Sequence, residues 1–220
     1  MHFDKANNIL YVSAVGKRVA EIPEKRDSVW FAYTDDFGNS WKAINGSVIT
    51  SPELVYKGYV SRCSISVNNN ELVILSGEYY QGSKCNYRVH TWHNNTWQTN
   101  LVALNEYGLG WCGYHSAWKI ENKIHVFVSM VNETQFKPSK YVDENGDLII
   151  APNDNPFIVQ PSKNVYMVAN YPFTNWTLVY AFSEDYTSHR CLTAEHHEGT
   201  FLVLNENKNQ SNIWKITRIP

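Results

Sequence analysis

Apolar runs separated by short polar turns recur along this chain. A short strand, a turn rich in asparagine or glycine, and a nearly continuous apolar strand occur four times; the apolar strands are Ile9–Ser13, Leu72–Ser76, Ile124–Ser129 and Phe201–Leu204. Each pair predicts a β-hairpin, and a strand that is apolar at almost every position is expected to be buried on both faces. The pattern therefore predicts a repeated β unit.

Further strands are predicted after each hairpin. A third strand is expected in every copy, at Val29–Tyr33, Tyr87–Trp92, Val165–Asn170 and Ile213–Thr217, and a fourth that begins with tryptophan in three copies, at Trp41–Ile44, Trp97–Leu101 and Trp176–Val179. Such repeats predict an all-β fold of the β-propeller type with about four blades. Because the last blade has only three strands, we interpret the chain as a small or partial propeller; a two-sheet β-sandwich is the alternative.

The length of 220 residues fits one large domain, so a single propeller-like domain is predicted over residues 1–220. A loop and hairpin insertion is expected at 131–163, where residues 141–150 predict a hairpin that turns at Asn145 and Gly146. The acidic residues there do not follow EF-hand spacing, which favours a solvated turn over a calcium loop. Insertions of this size are often functional.

The stretch from Tyr33 to Trp41 carries the most specific motif in the chain. It has the order Ser/Thr-x-Asp-x-Gly-x-Ser/Thr-Trp, supplied by Thr34, Asp36, Gly38, Ser40 and Trp41. Asp36 can accept hydrogen bonds from backbone amides, and Gly38 can adopt a positive φ. The motif resembles the Asp box, or BNR repeat, of the sialidase superfamily. That resemblance implies a propeller with this turn on the outer rim of a blade; an ordinary hairpin closed by a tryptophan is the alternative.

Composition excludes several kinds of partner. The net charge is −2 and only 18% of residues are charged, so no basic stripe predicts nucleic-acid binding. No apolar run predicts membrane insertion or a signal peptide, so a soluble protein is expected. The four cysteines, at positions 63, 85, 112 and 191, lack zinc-site spacing. We interpret them as buried thiols, with disulfides as the alternative, and predict no metal and no cofactor.

The starts of the innermost strands carry the candidate binding residues. Arg62, His115 and Arg190 occupy these positions in three of the repeats, and strand starts of this kind converge near the axis of a propeller. Because a guanidinium matches a carboxylate with two parallel hydrogen bonds, two opposed arginines predict an acidic ligand. The alternatives are arginines that bridge blades through backbone carbonyls, and a core imidazole at His115.

These residues extend the resemblance to the sialidases and, more closely, to the bacteriophage endosialidases. Sialidases bind the carboxylate of sialic acid with three arginines, whereas the first repeat here offers none, since Arg18 and Arg26 lie in a loop. The resemblance implies an acidic polysaccharide or sialylated glycan as partner. It also implies a location in a virion tail, as a homotrimer or as part of a larger tail assembly.

Hydrolysis of a glycan requires a carboxylic acid and a base or nucleophile. The resemblance implies a tyrosine nucleophile activated by a glutamate, and Glu78 with Tyr79 or Tyr80 is the first candidate pair, with His115 beside the sugar. Tyr114 and Trp111 are predicted to stack on sugar faces. The expected function is a tail-type carbohydrate-recognition or endosialidase-like glycoside-hydrolase domain acting on acidic surface glycans. A non-catalytic propeller that binds glycan or protein is the alternative. The residues therefore do not decide between an enzyme and a binding protein.

Overall fold

A computed structural model describes residues 1–16, 27–58, 60–79, 85–103, 108–109, 115–131, 140–142, 148–150, 161–182, 187–207 and 211–217. The strands in chain order are β1 (His2–Asp4), β2 (Ile9–Gly16), β3 (Ser28–Thr34), β4 (Glu53–Lys57), β5 (Val60–Asn68), β6 (Glu71–Tyr79), β7 (Cys85–His93), β8 (Thr96–Val102), β9 (Gly108–Leu109), β10 (Ser116–Ile120), β11 (Lys123–Val131), β12 (Lys140–Val142), β13 (Leu148–Ile150), β14 (Pro161–Asn170), β15 (Trp176–Ala181), β16 (Thr187–His197), β17 (Thr200–Asn207) and β18 (Ser211–Ile216). These residues contain no helix that is long and apolar enough to cross a membrane.

The strands form the four blades of a β-propeller. Blade one is β1–β4, blade two is β5–β8, blade three is β10, β11, β14 and β15, and blade four is β16–β18, each paired antiparallel in that order. A short pairing between the starts of β14 and β16 joins blades three and four. The all-β fold with about four blades that the repeats predict is therefore confirmed.

Most of the predicted strands are confirmed in position, including the short last blade. The predicted hairpin in the insertion is present as the pair β12 and β13, whereas its turn at 143–147 lies outside the described residues.

The prediction of a fourth strand at Trp41–Ile44 was wrong. Lys42 forms only isolated bridges with Tyr33 and Val48, and the fourth strand of blade one is β4. The chain turns immediately after Lys42, because the Ala43 amide donates to the Ser47 carbonyl at 2.9 Å. A leading tryptophan thus marks the fourth strand in blades two and three but a turn in blade one.

The apolar strands are continuous because the two faces of each sheet pack on different neighbours. In β6, Leu72 and Ile74 belong to a core shared with blade one, whereas Val73 and Leu75 belong to a core shared with blade three. A third core joins blades three and four around Phe127. Among the described residues, each pair of consecutive blades therefore shares one apolar core.

The strands of each blade are joined alternately at the two ends of the propeller. We call the end with the β1–β2, β5–β6, β10–β11 and β16–β17 turns the turn end, and the opposite end the loop end. The non-glycine residues with positive φ in the described chain all lie in connections of the turn end: Asn8, Phe37, Asn69, Asn70, Asn94, Asn95, Glu121, Phe173 and Glu198. The longest connection, 132–160, which includes β12 and β13, joins strands at the loop end, whereas the long connection between β3 and β4, residues 35–52, lies at the turn end.

The Asp-box-like turn lies at the turn end, between β3 and β4. The Asp36 carboxylate accepts hydrogen bonds from the Ser40 hydroxyl at 2.6 Å, the Ser40 amide at 2.9 Å and the Thr34 hydroxyl at 2.8 Å. These bonds, led by the Ser40 hydroxyl, lower the pKa of Asp36 to about 2. Gly38 adopts a φ of +90°, as the residue types predict. The motif therefore acts as a capped turn far from the loop end.

Candidate functional site

Several buried polar side chains lie near the loop end. They come from the loop-end portions of β6, β11, β14 and β17, and include Ser76, Glu78, Ser129, Asn164 and Asn205. Buried polar groups need partners, and a group of them from several blades at one end favours a functional role there. Connecting loops carry function more often than the strands they join.

Arg62 and His115 meet at Tyr87, on the side of blade two that faces blade three. Arg62 and Tyr87 lie on either side of Gly77 in the register of β5, β6 and β7, so no side chain separates them. The His115 ring contacts the Tyr87 ring edge to face, with centroids 5.1 Å apart. Burial raises the pKa of Tyr87, and the Ser129 amide and the Arg62 charge oppose that rise. Two of the predicted site residues therefore lie beside the same tyrosine.

A hydrogen-bonded chain continues from Tyr87 across blades three and four. The Ser129 hydroxyl donates to the Asn164 side-chain oxygen at 2.7 Å, and the Asn164 amide donates to Asn205 at 2.6 Å. All three side chains are buried. Because each amide orientation is fixed by the next partner, this chain ties the loop-end portions of three blades into one arrangement.

Arg62 is exposed, whereas His115 is only 5% exposed. The Nε2 atom of His115 lies 3.3 Å from the Leu75 carbonyl oxygen. A β-bulge between Val60 and Arg62 interrupts the pairing of β5, and a second one lies at Arg190, between His189 and Cys191. Bulges re-aim side chains and are frequent beside binding sites. A bulge thus lies next to each Arg-Cys pair, at Ser61 in β5 and at Arg190 itself in β16.

Glu78 lies on the opposite side of blade two, facing blade one. One carboxylate oxygen accepts a short hydrogen bond from the Tyr56 hydroxyl, and the other accepts one from Arg88 Nε at 2.6 Å. Burial, followed by this hydrogen bond to Glu78, raises the pKa of Tyr56. A Cβ added at Gly58 would lie 2.5 Å from the Tyr56 ring, so glycine leaves the space in which that ring reaches Glu78.

A buried histidine extends this inter-blade cluster. His90 Nε2 lies 2.8 Å from the Ser76 hydroxyl, and Nδ1 lies 2.9 Å from the Thr99 hydroxyl. Burial, and to a lesser extent the charge of Arg88, lowers the pKa of His90 to about 3. The neutral imidazole therefore serves as a fixed link between strands.

The remaining predicted residues are described only partly. Tyr79 is the last residue of β6, and Arg190 lies within β16. The side chains of both residues lie outside the described part of the chain. Trp111 and Tyr114 lie outside the described residues altogether.

The sequence reasoning missed Tyr56, Arg88 and Tyr87. Tyr87 could have been found from the register, because it lies opposite Gly77. The contact between Tyr56 and Glu78 joins residues of two different blades, and no local pattern encodes such a pairing.

A polar cavity of about 460 Å³ lies at the turn end, lined by residues that include His2, Asp4, Asn68, Glu195 and His196. The indole of Trp118 also lines it, but that ring is 4% exposed and donates its N–H to the Ala194 carbonyl at 2.7 Å. Its aromatic face is therefore not open for stacking, and the loop end is the stronger candidate.

Comparison with known proteins supports the propeller fold but shows neither a family nor a function. No family model and no curated protein matches the chain. A solved α-L-arabinanase from Penicillium chrysogenum, complexed with arabinobiose, is similar in structure with a TM-score of 0.51 and 10% identity. The likeness covers 95% of this chain and 58% of that one. At this identity it shows the fold alone.

Two other solved structures are more distant. A Bombyx mori GH32 β-fructofuranosidase has a TM-score of 0.46 and 7% identity, covering 90% of this chain and 38% of the other. A glycoside hydrolase has a TM-score of 0.45 and 11% identity, covering 100% of this chain and 65% of the other. This chain thus spans less than two thirds of the length of each of these three structures.

Proposed function

We propose that the loop end of this propeller binds an acidic glycan. The observation that carries the proposal is the grouping of Arg62, Tyr87 and His115, in which exposed Arg62 lies across Gly77 from buried Tyr87, and the Tyr87 ring contacts the buried His115 ring. A guanidinium held in this way can bind a carboxylate in a fixed orientation. Arg190, which lies at the second Arg-Cys bulge, is the proposed second arginine.

The proposal assigns the sugar-stacking role to Trp111 and Tyr114, which precede His115 in the sequence. Aromatic rings bind the apolar faces of sugars, while charged groups bind their substituents. The α-L-arabinanase that resembles this chain was solved with a bound arabinobiose. The acidic character of the ligand rests on the arginines, whereas the sialic acid class and a place in a phage tail rest on the resemblance to the sialidases and phage endosialidases alone.

Binding is favoured over hydrolysis by the position of Glu78. Its side chain lies across blade two from Arg62, and both of its carboxylate oxygens already accept hydrogen bonds. An acid that protonates a leaving oxygen needs to reach the same sugar that the arginine holds.

Hydrolysis is the second candidate, and the Tyr56 hydroxyl bonded to Glu78 supports it. This pair has the chemistry that the resemblance assigns to a tyrosine nucleophile and its glutamate base, with Tyr56 in the place proposed for Tyr79.

The test is to titrate the protein with polysialic acid and with a neutral polysaccharide, and to measure both affinity and chain length. Arg62→Ala is expected to weaken polysialic acid binding by about 10- to 100-fold, because a charge-assisted hydrogen bond is lost. Lys42→Ala removes a cation at the turn end and should leave affinity unchanged. Equal losses in both variants, or no binding by the wild type, would refute the proposal. Shortened chains that persist in Arg62→Ala but vanish in Tyr56→Phe would favour hydrolysis at Glu78.

A further inference from the structure

The outer strand of blade four is a sheet edge with an apolar centre. Blades one to three each have four strands, whereas blade four has three and ends at β18. Within the part of the chain that the structure describes, no strand pairs with the outer edge of β18. Ile213, near the middle of β18, is 79% exposed. Such an edge is a template for the addition of another strand.

An apolar strip continues from Ile213 across the same face of the blade. Ile213 lies opposite Leu204 in the register of β17 and β18, and the two share one face. Leu204 is 38% exposed, and Leu202, two residues along the same strand and face, is 48% exposed. An aliphatic side chain exposed at an open edge favours a partner strand that brings another apolar side chain beside Ile213.

The outer strands of the other blades are protected in ways that β18 is not. The pairing of β4 is interrupted by a bulge, and the strand has charged residues at both ends, Glu53 and Lys57. The pairing of β15 also contains a bulge. The indole of Trp176 donates to the Leu101 carbonyl of β8 at 2.9 Å, which caps that edge. Bulges and charges oppose strand addition, whereas β17 and β18 pair over six residues without a shift.

We propose that β18 pairs antiparallel with β18 of a second copy of this chain, about a two-fold axis at Ile213. In this arrangement Ile213 lies beside its counterpart, Asn212 lies opposite Trp214, and Ser211 lies opposite Lys215. The only charged side chain of the strand, Lys215, thus faces a neutral residue. Parallel in-register pairing would place Lys215 against Lys215, and directly opposed like charges destabilise a sheet.

A second copy is the occupant because the strand is complementary to itself. A two-fold contact places the same patch on both sides, so one contact pairs the open edge of both molecules and covers both Ile213 side chains. The result is a six-stranded sheet made of two fourth blades. This association uses neither Arg62 nor His115, so a test of the dimer does not decide the glycan proposal, and the reverse also holds.

Sedimentation velocity over a range of concentrations tests the proposal. The wild type is expected to form dimers, and Ile213→Lys is expected to raise the dimer dissociation constant at least about tenfold, because two lysines would then face each other. Leu202→Lys is the matched control, since it places the same charge on the same face but away from the edge. Circular dichroism should show both variants folded, because both side chains are largely exposed.

Two further variants make the outcome decisive. An equimolar mixture of Ile213→Lys and Ile213→Glu should recover the dimer, because opposite charges would then be paired. Ile213→Cys should form a disulfide-linked dimer on oxidation, since directly opposed residues of antiparallel strands have Cα atoms about 4.5–5.5 Å apart, within the range that a disulfide spans. A wild type that is monomeric at all concentrations would overturn the proposal. So would a trimer, an equal effect of Leu202→Lys, or a dimer that survives Ile213→Lys.

Discussion

Glu78 is a buried carboxylate that joins two blades. The Tyr56 hydroxyl reaches it from blade one and the Arg88 guanidinium from its own blade, so both of its oxygens are occupied. Removing one partner of such a cluster leaves another buried polar group without a hydrogen bond, which costs more than the bond itself. The cluster is therefore expected to orient the two blades whether or not it also has a chemical role.

A double-mutant cycle measures this coupling. Glu78→Gln keeps the shape of the side chain but removes its charge, and it should lower the free energy of unfolding by about 1–3 kcal/mol. Tyr56→Phe should cost about 1 kcal/mol, and the double variant should cost less than the sum because the two residues share one bond. Urea unfolding gives the three values. Strictly additive losses would show that the two side chains are not coupled.

His90 gives the fold a pH dependence of known sign. Burial lowers its pKa to about 3 in the folded protein, below the ordinary histidine value of 6.5. Between these values the unfolded chain binds more protons, so the stabilisation is complete above pH 6.5 and is lost progressively as the pH falls toward 3. His125, whose pKa burial lowers to about 4, acts in the same direction.

Unfolding measured from pH 7 to pH 4 checks this dependence. Each histidine contributes a slope of up to about 1.4 kcal/mol per pH unit, and His90→Gln should remove one such slope. If the variant and the wild type lose stability in parallel over this interval, His90 is not buried in its neutral form.

At the scale of elements, the turns of the turn end depend on positive φ. Gly38 adopts a φ of +90° in the turn between β3 and β4, and Asn95 adopts +58° in the turn between β7 and β8. No atom lies within 4 Å of a Cβ built at Gly38, so the requirement for glycine is set by the backbone alone.

Substitutions at Gly38 and Asn95 that are expected to have different effects on stability test this requirement for positive φ. Gly38→Ala should lower the free energy of unfolding by about 1–2 kcal/mol, because an L side chain is disfavoured in this region. Asn95→Gly creates the Asn-Gly sequence preferred in two-residue hairpins, so it should be neutral or slightly stabilising. Thermal unfolding monitored by circular dichroism distinguishes the two. A Gly38→Ala variant as stable as the wild type would show that the turn relaxes to another conformation.

The elements were predictable because each apolar run ends at a turn with recognisable chemistry. The β5–β6 hairpin follows from Asn69 and Asn70, which both adopt positive φ. The prediction failed after Trp41, where a tryptophan followed by a compact turn has the same local pattern as one that begins a strand. Local sequence describes hairpins well, but it does not decide which of several short extended segments completes a blade.

The candidate site was predictable only where it follows from register. Arg62 and His115 were predicted from their positions at strand starts, and both lie near Tyr87. The sequence did not predict that Glu78 lies on the other side of blade two from Arg62. The bulge in β5 decides which residues of β5 share a face with Glu78, and the sequence does not reveal that bulge. The partners of Glu78 come from contact between blades, which has no signal in the local sequence.

At the scale of the whole molecule, the two ends of the propeller have different characters. The described residues with positive φ lie in connections of the turn end, while the loop end collects buried polar groups from strands of blades two, three and four and the longest connection, 132–160. A rigid stack of apolar cores between consecutive blades holds the loop-end residues in place. This division favours a ligand at the loop end and a structural role for the Asp-box-like turn.

Hydrogen–deuterium exchange with and without a polysialic acid oligomer tests the central claim most directly. The account predicts slower exchange on ligand addition in peptides that contain residues 60–64 and 115–118. Peptides that contain residues 34–42, at the turn end, should exchange at an unchanged rate. Protection confined to the turn-end peptides, with none at the loop end, would contradict the account.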